Sequence, residues 1–215
     1  NIKVGESPEW LKNYLSAIGQ RPINNIVDIT NFILLGMGQP LHCFDVDKID
    51  GGKIVVRKCK QDTPFTTLDG VERKLDERDL MICNADKPMC IAGVFGGLDS
   101  GVTETTTSIF LESAYFNPTS IRKTARRHGL STDASFRYER GTDPNITMYC
   151  LKLAALMVKG LAGGEICGEP VDIYPKEINP YPVTLRYDYL NALVGKDIPS
   201  EKVDSIVKSL EMEIV

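Results

Sequence analysis

The sequence contains few of the residues that build metal, redox or covalent-catalysis sites. Its 215 residues include six cysteines, two histidines and one tryptophan. No two cysteines have the C-x-x-C spacing of a zinc or redox motif, and a chain of this length does not need disulfides to fold. We therefore expect reduced thiols, and we expect no metal site because the thiols and histidines are scattered.

Long apolar runs and a secretory signal are also missing. No run approaches the roughly 20 apolar residues that a membrane span needs. The segment NIKVGESPEWLKNYL has no basic region followed by an apolar one, as a secretory signal would. With a net charge of −4, the chain is not a polycation that coats nucleic acid. These features predict a cytoplasmic globular protein.

Positive charge is nevertheless concentrated in one segment. Residues 122–140 contain two acids, Asp133 and Glu139, and six basic residues: Arg122, Lys123, Arg126, Arg127, Arg137 and Arg140. Such a stripe suits a local contact with phosphate. A solvated helix face would have the same composition, so charge alone leaves both interpretations open.

Apolar periodicity and turn residues predict an α+β fold, with mixed or antiparallel sheets flanked by helices. Helices are predicted from Ser7-Pro8 to Gly19, over 23–38, over 117–127 and from Asp143 to Gly163. Strands are predicted over 53–59, 79–83, 90–95 and 108–116, with a hairpin in 66–75 turning at Asp69-Gly70 through a type I′ turn.

A proline-rich stretch, EPVDIYPKEINPYP (169–182), predicts a domain boundary. We expect one domain over 1–175 and another over 176–215. A strand around 183–190 and a helix from Ser200 predict a small α/β domain. About 35 residues is short for an independent core, so we expect this domain to be truncated.

Three features could bear chemistry. His42 follows the rigid turn Gly38-Gln39-Pro40, although a lone histidine can equally be a packing residue. The glycine-rich AGVFGG (92–97) would let the backbone approach a ligand, or would form a tight turn between strands. Glu112 lies inside an apolar strand, where it either pairs with an arginine or awaits a donor from a ligand.

These segments together resemble a known family. RPINNIVDITNFILLGMGQPLHCFD, IAGVFGG, FLESAYF and RRHGLSTDASFRYERGTDP have the order and spacing of the B3/B4 region of bacterial phenylalanyl-tRNA synthetase β subunits. The resemblance covers about residues 7–175, and the tail from about 178 resembles the start of the next domain, B5. It implies an editing site that hydrolyses tyrosyl-tRNA(Phe), which the parent ligase makes by mistake.

The resemblance also implies roles for individual residues. Glu112 would read the tyrosine hydroxyl, and Gly96 and Ala134 would be pocket walls kept small. His42 and Thr132 would lie at the reacting end. Arg21 and Asn31 would be polar residues near the aminoacyl end of the substrate. Cys43 stands where we expect a smaller residue such as alanine, and it is either a packing residue or a reactive thiol.

No Ser-His-Asp arrangement, Cys-His nucleophile or metal cluster is evident, so a positioned water would attack the ester. The resemblance implies no cofactor for this fragment, and ATP and Mg²⁺ for the full enzyme. It implies two partners, tRNA(Phe) and the α subunit of an α2β2 heterotetramer. Two other readings remain open: a non-catalytic scaffold or RNA-binding piece that is inactive when isolated, and a free-standing hydrolase or binding module. The B5-like tail argues against the second.

Overall fold

The computed structural model describes all 215 residues and divides them into two compact units, Asn1–Ile173 and Tyr174–Val215. The first unit combines helices with antiparallel strands, which confirms the predicted α+β class. None of the helices is both long and apolar enough to cross a membrane.

The first unit contains five α-helices, two short 3-10 helices and eight strands. Its α-helices are α1 Glu9–Ala17, α2 Asn25–Met37, α3 Pro118–His128, α4 Asp133–Tyr138 and α5 Thr147–Ala162. Its strands are β1 Leu41–Asp45, β2 Val55–Lys58, β3 Pro64–Thr66, β4 Glu72–Lys74, β5 Leu80–Cys83, β6 Pro88–Ile91, β7 Phe95–Gly96 and β8 Ile109–Ser113. They form a four-stranded sheet in the order β2-β5-β6-β7 and two ribbons, β1-β8 and β3-β4.

Capping residues set the ends of the helices that flank the site. The Asn24 side chain accepts hydrogen bonds from the first amides of α2, and Gly38 ends that helix with a left-handed φ of 75°. Asn117 caps α3 in the same way, and Gly129 ends it with a φ of 62°. Asparagine supplies an oxygen to unpaired amides, and glycine adopts positive φ without a Cβ clash.

The β1-β8 ribbon separates two hydrophobic cores. Successive side chains of a strand point to opposite faces. Phe44 packs with the β-sheet core, whereas Cys43 and Leu111 pack with the helical core. The helical core is formed by α1, α2 and α5 and includes Leu11, Leu15, Ile26, Ile29, Ile33, Cys150 and Ala154. The sheet core includes Met81, Ile91, Phe116, Ile121 and Tyr138.

Two local predictions were wrong in detail. The Asp69-Gly70 turn joins β3 to β4, but only Gly70 has positive φ, so the turn is not type I′. Instead, the amide of Gly70 bonds to the carbonyl of Thr67, and the Thr67 hydroxyl binds the Asp69 carboxylate. The single strand predicted over 90–95 is the end of β6, a turn and the start of β7. Gly93 has a φ of 66° in that turn, where a Cβ would lie 2.8 Å from the Phe116 ring.

The second unit contains two helices, α6 Tyr187–Val194 and α7 Ser200–Ser209, and no strand. The strand predicted around 183–190 is therefore wrong. Tyrosine and leucine suit either structure, but Asp188 lies in the first turn of α6 and Gly195 ends it with positive φ. Within this unit, the Tyr187 hydroxyl donates to Asp204 at 2.6 Å. The predicted helix from Ser200 is present.

Candidate functional site

A cavity of about 360 Å³ lies beside β1, in the size range of small-ligand sites. Its walls come from α2, β1, the turn between β6 and β7, the β3-β4 loop and the start of α4. It takes none of its lining residues from β8. Five of the predicted site residues line it: Asn31, His42, Gly96, Thr132 and Ala134.

The cavity depends on the missing side chain at Gly96. A Cβ built there would lie 2.8 Å from Cδ1 of Leu68 and 3.1 Å from Cε1 of His42. Real Cβ atoms almost never approach another atom as closely as the first of these distances. A larger residue would therefore push into the cavity or displace the imidazole.

Thr132 anchors the wall that carries Ala134. Its hydroxyl accepts from the Ser135 amide at 3.0 Å and donates to the Val94 carbonyl at 2.9 Å. The Ser135 hydroxyl in turn accepts from the Thr132 amide at 3.0 Å, which completes a capping box at the start of α4. The only hydroxyl proton of Thr132 thus binds α4 to the glycine-rich turn.

His42 lines the cavity and has an unpaired ring nitrogen. Nε2 is buried and has no hydrogen-bond partner, and the ring packs edge-on to Phe44 with centroids 4.5 Å apart. Burial lowers the pKa of His42 to about 4, so the imidazole is neutral near pH 7. A neutral imidazole can accept one hydrogen bond and donate another.

Glu112 lies directly opposite His42 on β8 and does not line the cavity itself. The residue is partly exposed, but its Oε2 atom is buried without a hydrogen-bond partner. Burial raises the pKa of its carboxyl to about 8. No arginine forms an ion pair with it, which excludes the alternative of an internal partner: Arg140 binds Glu139, and Arg127 binds Asp79.

The charge of Glu112 affects three neighbouring groups. Burial, with Glu112 as a second cause, raises the pKa of the Cys43 thiol to about 12 and raises the pKa of Cys90 and of Tyr138 well above their ordinary values. Cys90 and Tyr138 line the cavity, so the carboxyl lies near its wall. The Cys43 thiol stays protonated, which favours packing over reactivity.

Arg21 is the other predicted residue that does not line the cavity. It is exposed, in the segment after α1, and forms no ion pair. The side chain of its neighbour Gln20 donates to the Asp133 carboxylate at 3.2 Å, and Asp133 does line the cavity. This bond brings the Arg21 segment to the cavity rim.

The chain matches the model of a known protein family. The B3/4 domain model matches residues 1–163. The chain belongs to the B3/4 domain family.

Curated relatives match this B3/4 chain over nearly its whole length. It is 64% identical over 214 residues to the "Phenylalanine--tRNA ligase beta subunit" of Bacteroides fragilis, covering 100% of this chain and 26% of that protein. It is 63% identical to the protein of the same name from Bacteroides thetaiotaomicron, with the same coverage. For that of Geobacter metallireducens the identity is 44%, over 98% of this chain and 26% of that protein. The chain thus spans about a quarter of the length of these relatives.

Several cavity residues of the B3/4 chain had no clear signal in the sequence. Thr30 lies on α2 beside Asn31, and Tyr138 lies one turn after Ala134 on α4, a helix too short to be predicted. Leu68 comes from the β3-β4 loop, and Cys90 from the end of β6. Only the folded chain brings these two segments to the cavity.

The arginines of residues 122–140 divide into two groups. In the first group the basic side chains have partners. Arg127 binds the fully buried Asp79, and so does the neighbouring His128, whose Nε2 lies 2.6 Å from Oδ2 of Asp79. Arg140 stacks on Phe136, its guanidinium carbon 3.5 Å from the ring centroid. The members of the second group form no ion pair: Arg122, Lys123, Arg126 and Arg137. The first three of them are exposed on α3.

Proposed function

We propose that this chain is the editing module of a phenylalanine–tRNA ligase β subunit and that it hydrolyses tyrosyl-tRNA(Phe). The observation that carries the proposal is the His42–Glu112 pair. Each side chain has a buried polar atom without a hydrogen-bond partner, next to a cavity whose walls include the small residues Gly96 and Ala134. Membership in the B3/4 family and the names of the relatives support the same assignment.

The selectivity follows from an unpaired acceptor. A hydrophobic synthetic pocket rejects an added hydroxyl only about a hundredfold, so a second site must bind that hydroxyl. A tyrosine phenol entering the cavity would donate to Glu112 and satisfy its buried oxygen. Phenylalanine would leave the oxygen unpaired at a cost of about 1–3 kcal/mol.

The chemistry is ester hydrolysis by a positioned water. The water oxygen attacks the ester carbonyl carbon, the bond to the tRNA ribose oxygen breaks, and that oxygen takes a proton. Because the pKa of His42 is about 4, the imidazole is a weak base. We therefore assign it to orienting the water or the ester. Asn31 and Thr132 line the same cavity. Thr132 would lie with His42 at the reacting end, and Asn31 and Arg21 would lie near the aminoacyl end of the substrate, Arg21 at the cavity rim.

The rest of the reaction cycle belongs to other parts of the enzyme. ATP and Mg²⁺ would serve aminoacylation at a synthetic site outside this chain, in which no group of three or more His, Cys, Asp or Glu side chains is arranged to hold a metal ion. The partners would be the α subunit of an α2β2 assembly and tRNA(Phe), in the cytoplasm. Residues 176–215 would be the start of a B5-like domain, following an editing domain over 1–175.

The test compares full-length ligases carrying the native residue, Glu112→Gln or Glu112→Ala. Hydrolysis rates of tyrosyl-tRNA(Phe) and phenylalanyl-tRNA(Phe) are measured beside aminoacylation. We expect Glu112→Ala, which removes the acceptor, to lose the preference for tyrosine while aminoacylation is unchanged, and Glu112→Gln, whose amide carbonyl still accepts a hydrogen bond, to keep part of it. Glu139→Gln is the matched control, because Glu139 is held by Arg140 outside the cavity. If Glu112→Ala still clears tyrosyl-tRNA(Phe) at the native rate, Glu112 is a structural residue and the assignment of the pocket is wrong.

A further inference from the structure

The β1-β8 ladder ends at a residue that cannot donate a hydrogen bond. The Val46 amide bonds to the Ser108 carbonyl at 3.0 Å, just beyond one end of the ladder. Hydrogen-bonded pairs alternate along an antiparallel ribbon, so His42–Glu112 is such a pair and Pro40–Ala114 would be the next. Proline has no amide proton, so the Ala114 carbonyl loses its partner in the ladder.

Two buried side chains replace the missing donor. The Gln39 amide Nε2 lies 2.8 Å from the Ala114 carbonyl and 3.1 Å from the Pro40 carbonyl. The Tyr138 hydroxyl lies 3.1 Å and 3.2 Å from the same two oxygens. Gln39 is fully buried and Tyr138 is 3% exposed. Together they close the end of the ribbon, and we call the two residues the carbonyl clamp.

The carbonyl clamp connects the two sides of the candidate site. Tyr138 lies on α4, one turn after the cavity residue Ala134, and its ring packs against Phe116 with centroids 5.0 Å apart. The carbonyls it binds are two residues from His42 and two from Glu112. The clamp therefore fixes the wall on α4 to the strand pair that bears the unpaired atoms.

We propose that Tyr138 and Gln39 are positioning residues, which hold the His42–Glu112 pair at a fixed distance from the wall formed by α4. The proposal rests on the proposed function, since it explains how the hydroxyl-reading group is held in place. Proximity supports it: the charge of Glu112 contributes to the raised pKa of Tyr138. An editing pocket that must detect one hydroxyl depends on such placement, because a displacement of about 1 Å can cost about a hundredfold in rate.

The test is Tyr138→Phe in the full-length ligase, a change that keeps the ring and removes only the hydroxyl. We expect kcat for tyrosyl-tRNA(Phe) hydrolysis to fall about threefold to tenfold, the loss typical of one hydrogen bond, with aminoacylation unchanged. The ratio of tyrosyl to phenylalanyl hydrolysis should fall as well. Gln39→Met, which removes the other donor at similar volume, should act in the same direction.

Two control variants separate a loss of positioning from the general effect of removing a hydrogen bond. Ser113→Ala removes a hydroxyl that donates to the Thr147 carbonyl at 2.7 Å from the same end of β8. Tyr187→Phe removes a tyrosine hydroxyl bond in the second unit. Neither change should alter kcat or the ratio. If Ser113→Ala and Tyr138→Phe reduce both quantities equally, the carbonyl clamp is only structural and the proposal is overturned.

A double-mutant cycle with Glu112→Ala, which removes the acceptor, shows whether Tyr138 acts through Glu112. We expect Tyr138→Phe to change the ratio in the native background and to leave it unchanged when position 112 is already alanine. Independent, multiplicative effects would contradict the proposal. If Glu112→Ala itself leaves the ratio at its native value, the hydroxyl-reading function is wrong. The positioning role is then tested by comparing the kcat of Tyr138→Phe with that of Ser113→Ala. Equal kcat values would overturn the proposal.

Discussion

His42 and Glu112 lie directly opposite each other on β1 and β8, and each holds a buried polar atom, Nε2 and Oε2, without a hydrogen-bond partner. Burial moves both pKa values toward the uncharged forms, to about 4 for the imidazole and about 8 for the carboxyl. Unsatisfied buried polar groups are rare because each costs free energy. Two of them side by side indicate a site built for a polar ligand.

The pH dependence of stability should reveal the carboxyl. Burial raises the pKa of Glu112 to about 8 from 4.5. The protonated carboxyl stabilises the folded state. This contribution is fully present below the pKa of the unfolded state and is lost as pH rises toward the pKa of the folded state. Between about pH 5 and pH 8, the unfolding free energy of the native chain should fall by about 1–3 kcal/mol relative to Glu112→Gln, after allowance for partial exposure. Denaturant titrations at both pH values measure this difference.

Glu139→Gln is the control for this experiment, because Glu139 pairs with Arg140 near the surface. His42 is present in all three proteins, so its own titration cancels. Parallel pH profiles for the native chain and Glu112→Gln would mean that the carboxyl is solvated rather than buried.

Enlarging the cavity wall should impair the site without unfolding the chain. Gly96→Ala places a Cβ 2.8 Å from Leu68 and 3.1 Å from the His42 ring. Leu68 is half-exposed and can move, whereas the His42 ring is packed against Phe44. We expect tyrosyl-tRNA(Phe) hydrolysis by the full ligase to fall about tenfold to a hundredfold.

Gly160→Ala is the matched control for Gly96→Ala, since a Cβ at Gly160 meets nothing within 4 Å and the position is helical. Alanine there should leave hydrolysis unchanged and raise the unfolding free energy by about 0.5–1 kcal/mol. Native hydrolysis by Gly96→Ala would exclude the cavity as the binding site.

Some of the site follows from the sequence, and some requires the fold. Local capping rules act over a few residues, so they can be read from the sequence. They account for the ends of α2 at Gly38 and of α3 at Gly129, and for Asn117 as the N-cap of α3. The short α4 was not predicted, although Thr132 and Ser135 form its capping box, because six residues are too few for a periodic pattern. The position of Leu68 at the cavity was beyond prediction, since it depends on how a loop folds over β7.

The second histidine should be structural. Asp79 is fully buried and binds Thr124 at 3.0 Å, His128 at 2.6 Å and Arg127. Asp79→Asn should lower the unfolding free energy by about 3–5 kcal/mol, because it removes the buried carboxylate that Arg127 and His128 both bind. Asp188→Asn, which breaks the exposed pair with Arg186, should cost no more than about 1 kcal/mol. Comparable losses in the two variants would show that the Asp79 cluster contributes little.

Thiol reactivity should follow burial. The Cys43 thiol has its pKa raised to about 12, and that of Cys90 is raised well above its ordinary value. Cys167 is exposed. Brief treatment of the folded chain with iodoacetamide, followed by peptide mass spectrometry, should modify Cys167 first and leave Cys43 and Cys90 intact, while the unfolded chain should react at every cysteine. Early modification of Cys43 would restore the reactive-thiol interpretation.

The group at the para position of the substrate ring shows whether the site detects a hydroxyl donor. The native full-length ligase is given tRNA(Phe) carrying phenylalanine, tyrosine or 4-methoxyphenylalanine, and single-turnover hydrolysis rates are measured. We expect rapid hydrolysis of the tyrosyl ester alone, because the methoxy oxygen has no proton to donate to Glu112. Equal rates for the tyrosyl and phenylalanyl esters would contradict it.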